Sequence, residues 1–443
     1  MTDHSNLSRP LAVPAGRASR LGRMGSLAAG VAGRMAVDGV RQLGQGRRPA
    51  ARELLLTPAN MRRIADELAR MRGAAMKIGQ LVSMDTGDVL APELADIMAR
   101  LRADADFMPP QQLRDVLDAA WGAGWRRRFA RFDVRPIAAA SIGQVHRAQL
   151  PDGTELAIKV QYPGIAHSID SDVANIGRLI RLSGLMPEGF ALDPYLDEAR
   201  MQLKEEADYL AEAAHLEHFA NLLQDDPHLT LPRLYAPLTS RKVLAMTFVP
   251  SDGIESVAGM PQETRDNVMC VLCNLMLREL FAFGTMQTDP NFANYRYDPV
   301  TGRVVLLDFG ATRTVPRTLA EQMRALMQAG LGNDRADVAN IVEMMGLVPE
   351  TVAERFRTRI LDMIMSVFAE IRAAPLLDLA TSDLYRRLQR EGEALAADGF
   401  VPPPMPMDLL YIQRKVAGMF LLASRLRARL PMAAFMTAYT DHA

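Results

Sequence analysis

Three side chains in the C-terminal half of the chain are spaced for work on phosphate. Asp289 opens the stretch Asp289-Pro290-Asn291-Phe292-Ala293-Asn294, so an asparagine follows it by five residues, and Asp308 of Asp308-Phe309-Gly310 follows it by nineteen. Phosphoryl transfer concentrates negative charge on oxygen atoms, and magnesium, the ion that offsets it, takes hard oxygen ligands. The Asp308 carboxylate and the Asn294 amide oxygen are such ligands, and Asp289 can orient or deprotonate an attacking hydroxyl or water. A lone D-F-G is a three-letter coincidence. The apolar run Val304-Val305-Leu306-Leu307 before it and the Asp289/Asn294 pair at this distance give it weight. A cation stands upstream: Lys159 ends Leu156-Ala157-Ile158-Lys159, and Glu212, 53 residues later, is the carboxylate chosen to hold it in place.

These motifs, in this order, resemble the catalytic core of protein kinases, where the strand lysine contacts the α- and β-phosphates. Ala138-Ala139-Ala140-Ser141-Ile142-Gly143-Gln144-Val145 occupies the place of the glycine-rich loop. Glycines there let backbone N–H groups approach phosphates closely. Alanine still allows a fairly close approach but forbids most positive-φ conformations, so a stiffer loop with a different grip on the terminal phosphate is expected. Ala138, Ala139, Ala140, Ser141, Lys159, Met246 and Val249 form the expected nucleotide-binding set. Asp208 and Glu212 lie four apart in Glu206-Ala207-Asp208-Tyr209-Leu210-Ala211-Glu212 and would share a helix face. Alone this stretch is a solvated acidic helix; among the other motifs it becomes the lysine's partner.

The chain as a whole resembles the UbiB (AarF/ADCK) family of atypical kinase-like ATPases across nearly all of residues 20–440. The family's K-x-G-Q motif stands as Lys77-Ile78-Gly79-Gln80, its alanine-rich loop matches residues 138–145, and its E-x-D motif matches Glu206 and Asp208. Met286-Gln287-Thr288-Asp289-Pro290-Asn291, Leu307-Asp308-Phe309-Gly310-Ala311-Thr312-Arg313 and Val160-Gln161-Tyr162-Pro163-Gly164-Ile165 are similar to further family segments. The resemblance implies a kinase-like fold that binds ATP or ADP with Mg2+, its peptide-substrate cleft filled by the K-x-G-Q helices. Lys77, Gly79, Gln80, Glu206 and Asp208 would shape that cleft. It also implies a part in ubiquinone biosynthesis, with quinone precursors or other isoprenoid lipids and quinone-biosynthesis enzymes as partners. Departures from ordinary kinases agree with it. Gln287-Thr288 replaces His-Arg, helix resumes by about Thr318, no A-P-E follows, and Ala91-Pro92-Glu93 lies upstream of every catalytic element.

The elements that must position these residues can be read from periodicity. Thr57-Pro58 starts a helix whose apolar face carries Met61, Ile64, Leu68, Met71, Ala75, Ile78 and Val82. Lys77 and Gln80 share one face of it, and Gly79 allows close packing. More helix follows at 92–101 and after Pro109-Pro110. The period then changes: residues 132–141, 145–150 and 155–160 are strand-like, with a turn at Asp152-Gly153. Helix returns over 168–223, broken at Met186-Pro187-Glu188-Gly189, then a strand at 242–249, then helix to the end apart from short strands at 295–297 and 304–307. The fold class is α+β and bilobal. The expected divisions are a mobile segment 1–50, a helical extension 51–123, a sheet-bearing lobe with inserted helices 124–249 and a helical lobe 250–443.

Composition narrows the function. Hydrophobic residues make up 49% and charged residues 23% of 443, ordinary for a chain with a sizeable core. A net charge of −1 gives no electrostatic case for nucleic acid, and Arg126-Arg127-Arg128 reads as a solvated face. The only cysteines, Cys270 and Cys273, sit in an apolar helical run and are expected to pack as small hydrophobes rather than bind metal. No segment reaches the ~20 apolar residues needed to cross a bilayer; Met24 to Gly33 and Val416 to Ala423 are too short. A cytoplasmic protein is expected, with room for peripheral inner-membrane contact through residues 24–40 or an exposed Met-rich surface. Three functions compete: a slow ATPase in quinone-lipid biosynthesis, a true protein or small-molecule kinase, and a nucleotide-binding scaffold without turnover.

Overall fold

The computed structural model describes residues 73–75, 77, 78, 107–140, 142–183, 192–403 and 405–440, the side chains of residues 182, 183 and 385 excepted. The expected segment 1–50, most of the 51–123 extension with Gly79 and Gln80, Ser141, and the expected break at 186–189 lie outside the described residues. The described residues form two compact units, one within Met1–Ala214 together with Arg233–Phe248, the other within His215–Pro232 and Val249–Ala443.

The first unit is built on an antiparallel sheet whose order is Arg131–Phe132, Gly143–Gln149, Glu155–Gln161, Val243–Thr247, with Ala138–Ala139 also paired to Gly143–Gln149. Alternation drives the pairing: Leu156, Ile158 and Val160 point to one face and are fully buried. The turn between the central strands is the one expected, with Gly153 at φ 87° and Thr154 N donating to Asp152 Oδ1 at 2.9 Å. The strand expected over 132–141 is instead two short pieces. Pro136 interrupts it, since proline has no N–H for the ladder and restricts the residue before it. Trp121, Trp125, Phe129 and Phe132 pack together, and Trp121 donates to the Leu238 carbonyl at 2.9 Å. Arg126, Arg127 and Arg128 are exposed, as expected.

The second unit is mostly helical, as expected, but holds more strand than periodicity showed. Tyr295–Asp298 and Arg303–Leu306 form the expected hairpin, flanked by Leu229–Thr230 and Asp252–Gly253. Thr285–Gln287 pairs with Thr312–Thr314, and Leu377–Asp378 with Arg429–Leu430. Strands of two or three residues are shorter than the window in which alternation can be counted. Helix Gln262–Arg278 runs into a π-helical turn, Glu279–Phe283, ended by Gly284 in the left-handed conformation. Cys273 is buried in that helix and burial pushes its thiol up to about 12, while Cys270 is partly buried; they pack as expected. Among the described residues no helix is long and apolar enough to cross a membrane.

Candidate functional site

In the first unit the strand Glu155–Gln161 carries Lys159, and helix Tyr209–Leu222 carries Glu212 in its first turn. Lys159 Nζ lies 2.6 Å from Glu212 Oε1 and 2.8 Å from Oε2, with both residues buried. The partner chosen from sequence is the partner found. The lysine also stands 5.2 Å from the centre of the Tyr209 ring. Buried charges are tolerated because each supplies the other's counter-charge.

Asp208 departs from expectation. The chain leaves helix at Ala207 and Asp208, and Asp208 precedes the new helix, its Oδ1 accepting from Leu210 N at 3.1 Å. It therefore caps the Glu212 helix rather than sharing its face, because a short carboxylate bonds free helical N–H groups better than a mid-helix position allows. Gln161 Nε2 bridges to the Ala207 carbonyl at 2.8 Å, tying this break to the lysine strand. Glu206, just before the break, is ion-paired with the buried Lys77. One residue of the K-x-G-Q motif thus meets one of the E-x-D motif.

The alanine loop enters through Ala138–Ala139, in register with Val145 and Gln144, and Ala140 N bonds Gly143 O at 2.8 Å. Glycine is required at Gly143 by close approach: a Cβ there would lie 2.5 Å from the Tyr209 hydroxyl and 2.6 Å from Val160 O. Met246 is buried in strand Val243–Thr247 opposite Ala157, and Val249 follows that strand, partly exposed.

In the second unit, backbone pairing assembles the acidic residues. Gln287 sits opposite Thr312, and Thr288 N and Oγ1 both donate to Ala311 O, at 2.9 and 2.8 Å. Asp289 is thereby set beside the Asp308-Phe309-Gly310 loop. Leu306 pairs with Tyr295, and Leu307 N donates to Asn294 O at 3.1 Å, which brings Asn294 next to Asp308. Asn294 Nδ2 donates to Asp289 O and Oδ2, both at 3.2 Å, leaving its carbonyl oxygen as an acceptor. Asp308 Oδ1 accepts from Gly310 N at 2.9 Å. Asn294 and Asp308 line one small crevice with Glu279, Gln287, Tyr295 and Lys415. Phe309 is buried against Phe219, ring centres 4.9 Å apart.

The donor set fits magnesium. It offers a carboxylate and an amide oxygen rather than a closed protein cage, and such ions keep waters and substrate phosphates in their shell. Among the described residues no group of three or more His, Cys, Asp or Glu is arranged to hold a metal.

Sequence reasoning missed two residues of helix Met407–Leu426. Arg414 Nη2 donates to Asp289 Oδ1 at 2.9 Å, and Lys415 Nζ bonds Gln287 O at 2.8 Å and Tyr295 Oη at 2.9 Å, with Glu279 Oε2 at 3.3 Å. Both cations are buried. Burial works against the Lys415 ammonium, but Glu279 and Tyr295 outweigh it and hold its pKa above the ordinary lysine range. An Arg-Lys pair ahead of an apolar run has the look of a solvated helix face, so only the partners found 120 and more residues away reveal it.

A strand lysine clasped by a helix glutamate, and a metal-type Asp/Asn pair beside an ordered aspartate, define a protein of the kinase-like class. The model of the ABC1 atypical kinase-like domain matches residues 100–342, more than half of the chain. The Saccharomyces cerevisiae protein "Atypical kinase COQ8, mitochondrial" is 35% identical, over 94% of this chain and 83% of its own. "Atypical kinase COQ8B, mitochondrial" of Danio rerio is 36% identical, over 94% and 67%. A Mycobacterium tuberculosis protein solved with erythromycin is 24% identical and shares the fold, with a TM-score of 0.59 over 85% of this chain and 95% of its own. The chain belongs to the ABC1 (UbiB) family of atypical kinases, and the resemblance noted from the motifs holds.

Proposed function

We propose that this protein binds Mg-ATP or Mg-ADP and hydrolyses ATP slowly in support of ubiquinone biosynthesis. In this reading Lys159, steadied by Glu212, contacts the phosphates, and Ala138 to Ser141, Met246 and Val249 contact the rest of the nucleotide. Asp308 and Asn294 hold magnesium, which when bound offsets phosphate charge, and Asp289 orients the attacking water. Lys77, Gly79, Gln80, Glu206 and Asp208 shape a cleft closed to peptides. The observation that supports the reading best is the formed Lys159–Glu212 pair, since a buried ammonium held ready at 2.6 Å suits an anionic ligand. The motifs' resemblance supplies the quinone-lipid clients, the biosynthetic partner enzymes and peripheral contact with the membrane from the cytoplasmic side.

The test is Lys159→Ala. Affinity for Mg-nucleotide, read by thermal shift or calorimetry, should fall at least about tenfold, and turnover with it. Full affinity and full turnover in this variant would remove the reading. A true kinase is the second reading, favoured by the ordering of Asp289 through Arg414 and Asn294. Labelled ATP separates the two: label on a defined protein or small molecule, rather than in free phosphate, makes the protein a kinase.

A further inference from the structure

We propose that Arg414, far from the motifs in sequence, is the positioning residue for the Asp289 carboxylate. The inference rests on the reading of Asp289 given above. A carboxylate turns about two side-chain torsions, and holding both oxygens sets its plane. Here Oδ1 accepts from Arg414 Nη2 at 2.9 Å and Oδ2 from Asn294 Nδ2 at 3.2 Å. Two bonds occupy two of about four lone-pair directions, so the carboxylate retains acceptor capacity for a substrate hydroxyl or water. Asn294 alone leaves Oδ1 ungripped. Arg414 completes the hold.

The guanidinium can do this because its helix is locked against the same loop on both sides of Asp289. One residue on, Lys415 bonds the Gln287 carbonyl at 2.8 Å. One turn on, Gly418 approaches Pro290 so closely that an added Cβ would lie 2.2 Å from the proline Cβ. Residues 414, 415 and 418 thus meet residues 289, 287 and 290, and the side chain of Arg414 is only 7% exposed. A buried cation costs desolvation that a hydrophobic residue would not. Its burial here follows if it does something a hydrophobe cannot, and the atom it touches belongs to the group that orients the attacking oxygen. Arginine suits the task because its planar fork fixes direction as well as charge.

The experiment compares full-length wild type, Arg414→Met, Arg414→Lys, Asp289→Asn and the Asp289→Asn/Arg414→Met double variant, for ATP turnover and for Mg-ADP affinity. Arg414→Met should lower kcat about tenfold to a hundredfold, as misplacement of a catalytic group does, with Mg-ADP affinity within about twofold of wild type. Arg414→Lys should recover part of kcat, and Arg414→Met should add less than about twofold to the loss in Asp289→Asn, because the two act as a unit. The proposal is overturned if Arg414→Met turns over at the wild-type rate while Asp289→Asn is inactive, or if the two losses multiply. Should Arg414→Met not fold, judged by circular dichroism, Arg414→Lys decides: wild-type affinity with reduced kcat supports the proposal, and wild-type kcat overturns it. Wild-type turnover in Asp289→Asn sinks the reading of Asp289 itself, and the proposal falls with it.

Discussion

Gly143 shows how a single residue can be dictated by what surrounds it rather than by its own backbone angles. Both the Tyr209 hydroxyl and the Val160 carbonyl stand where its Cβ would be. Gly143→Ala should therefore cost about 1–3 kcal/mol in urea denaturation, and Tyr209→Phe should not restore it, because the backbone carbonyl remains. Full recovery in the double variant would mean that the hydroxyl alone sets the constraint. Chemistry-bearing residues were the most legible part of the chain: Lys159 and Glu212 meet as the motif order expects, and Asp289 and Asn294 touch. Asp208 was harder, since four-residue spacing looks the same whether a helix runs through or restarts, and only backbone bonding reveals a cap.

Among the elements, the antiparallel sheet of the first unit contains a polar link that predicts its response to acid. His146 is fully buried; its Nδ1 is 2.8 Å from Asp133 O and its Nε2 is 2.9 Å from Gln144 Nε2. Gln144 Oε1 in turn accepts from Met108 N at 2.8 Å, so the amide must donate to Nε2 and the ring is neutral with its proton on Nδ1. Burial lowers this histidine from 6.5 to about 4. A depressed folded-state pKa means that stability is fully present above about 6.5 and is lost as pH falls toward about 4, by about 3 kcal/mol at most. Measured by urea midpoint across this window, the stability advantage of wild type over His146→Gln should shrink as pH falls. A gap that stays constant would show that protonation of His146 is not resisted. The strands that carry this link were evident from alternation, whereas Thr285–Gln287 and Thr312–Thr314 were not, although they align Asp289 with the Asp308 loop. Their pairing joins residues 25 to 29 positions apart, Gln287 with Thr312, Met286 with Arg313 and Thr285 with Thr314, and no local pattern encodes that.

Over the whole molecule, helix Met407–Leu426 joins the far end of the chain to the middle. Lys415 is buried with Glu279, Gln287 and Tyr295, and removing its charge leaves the Glu279 carboxylate without its cation. Lys415→Met should cost about 3–5 kcal/mol, and Lys415→Met/Glu279→Leu should recover most of it; urea denaturation of the two variants checks this, and equal instability would deny the coupling. By itself the sequence determined the family and the α+β kinase-like class, and singled out the lysine, glutamate, asparagine and aspartates as candidates, because phosphate chemistry restricts residue type and order along the chain. Only the tertiary structure decided that Arg414 bonds Asp289, that Lys415 bonds Gln287 and that Glu206 pairs with Lys77. A surface-like charge and a buried one have the same local sequence, and burial is settled by contacts between residues more than a hundred positions apart.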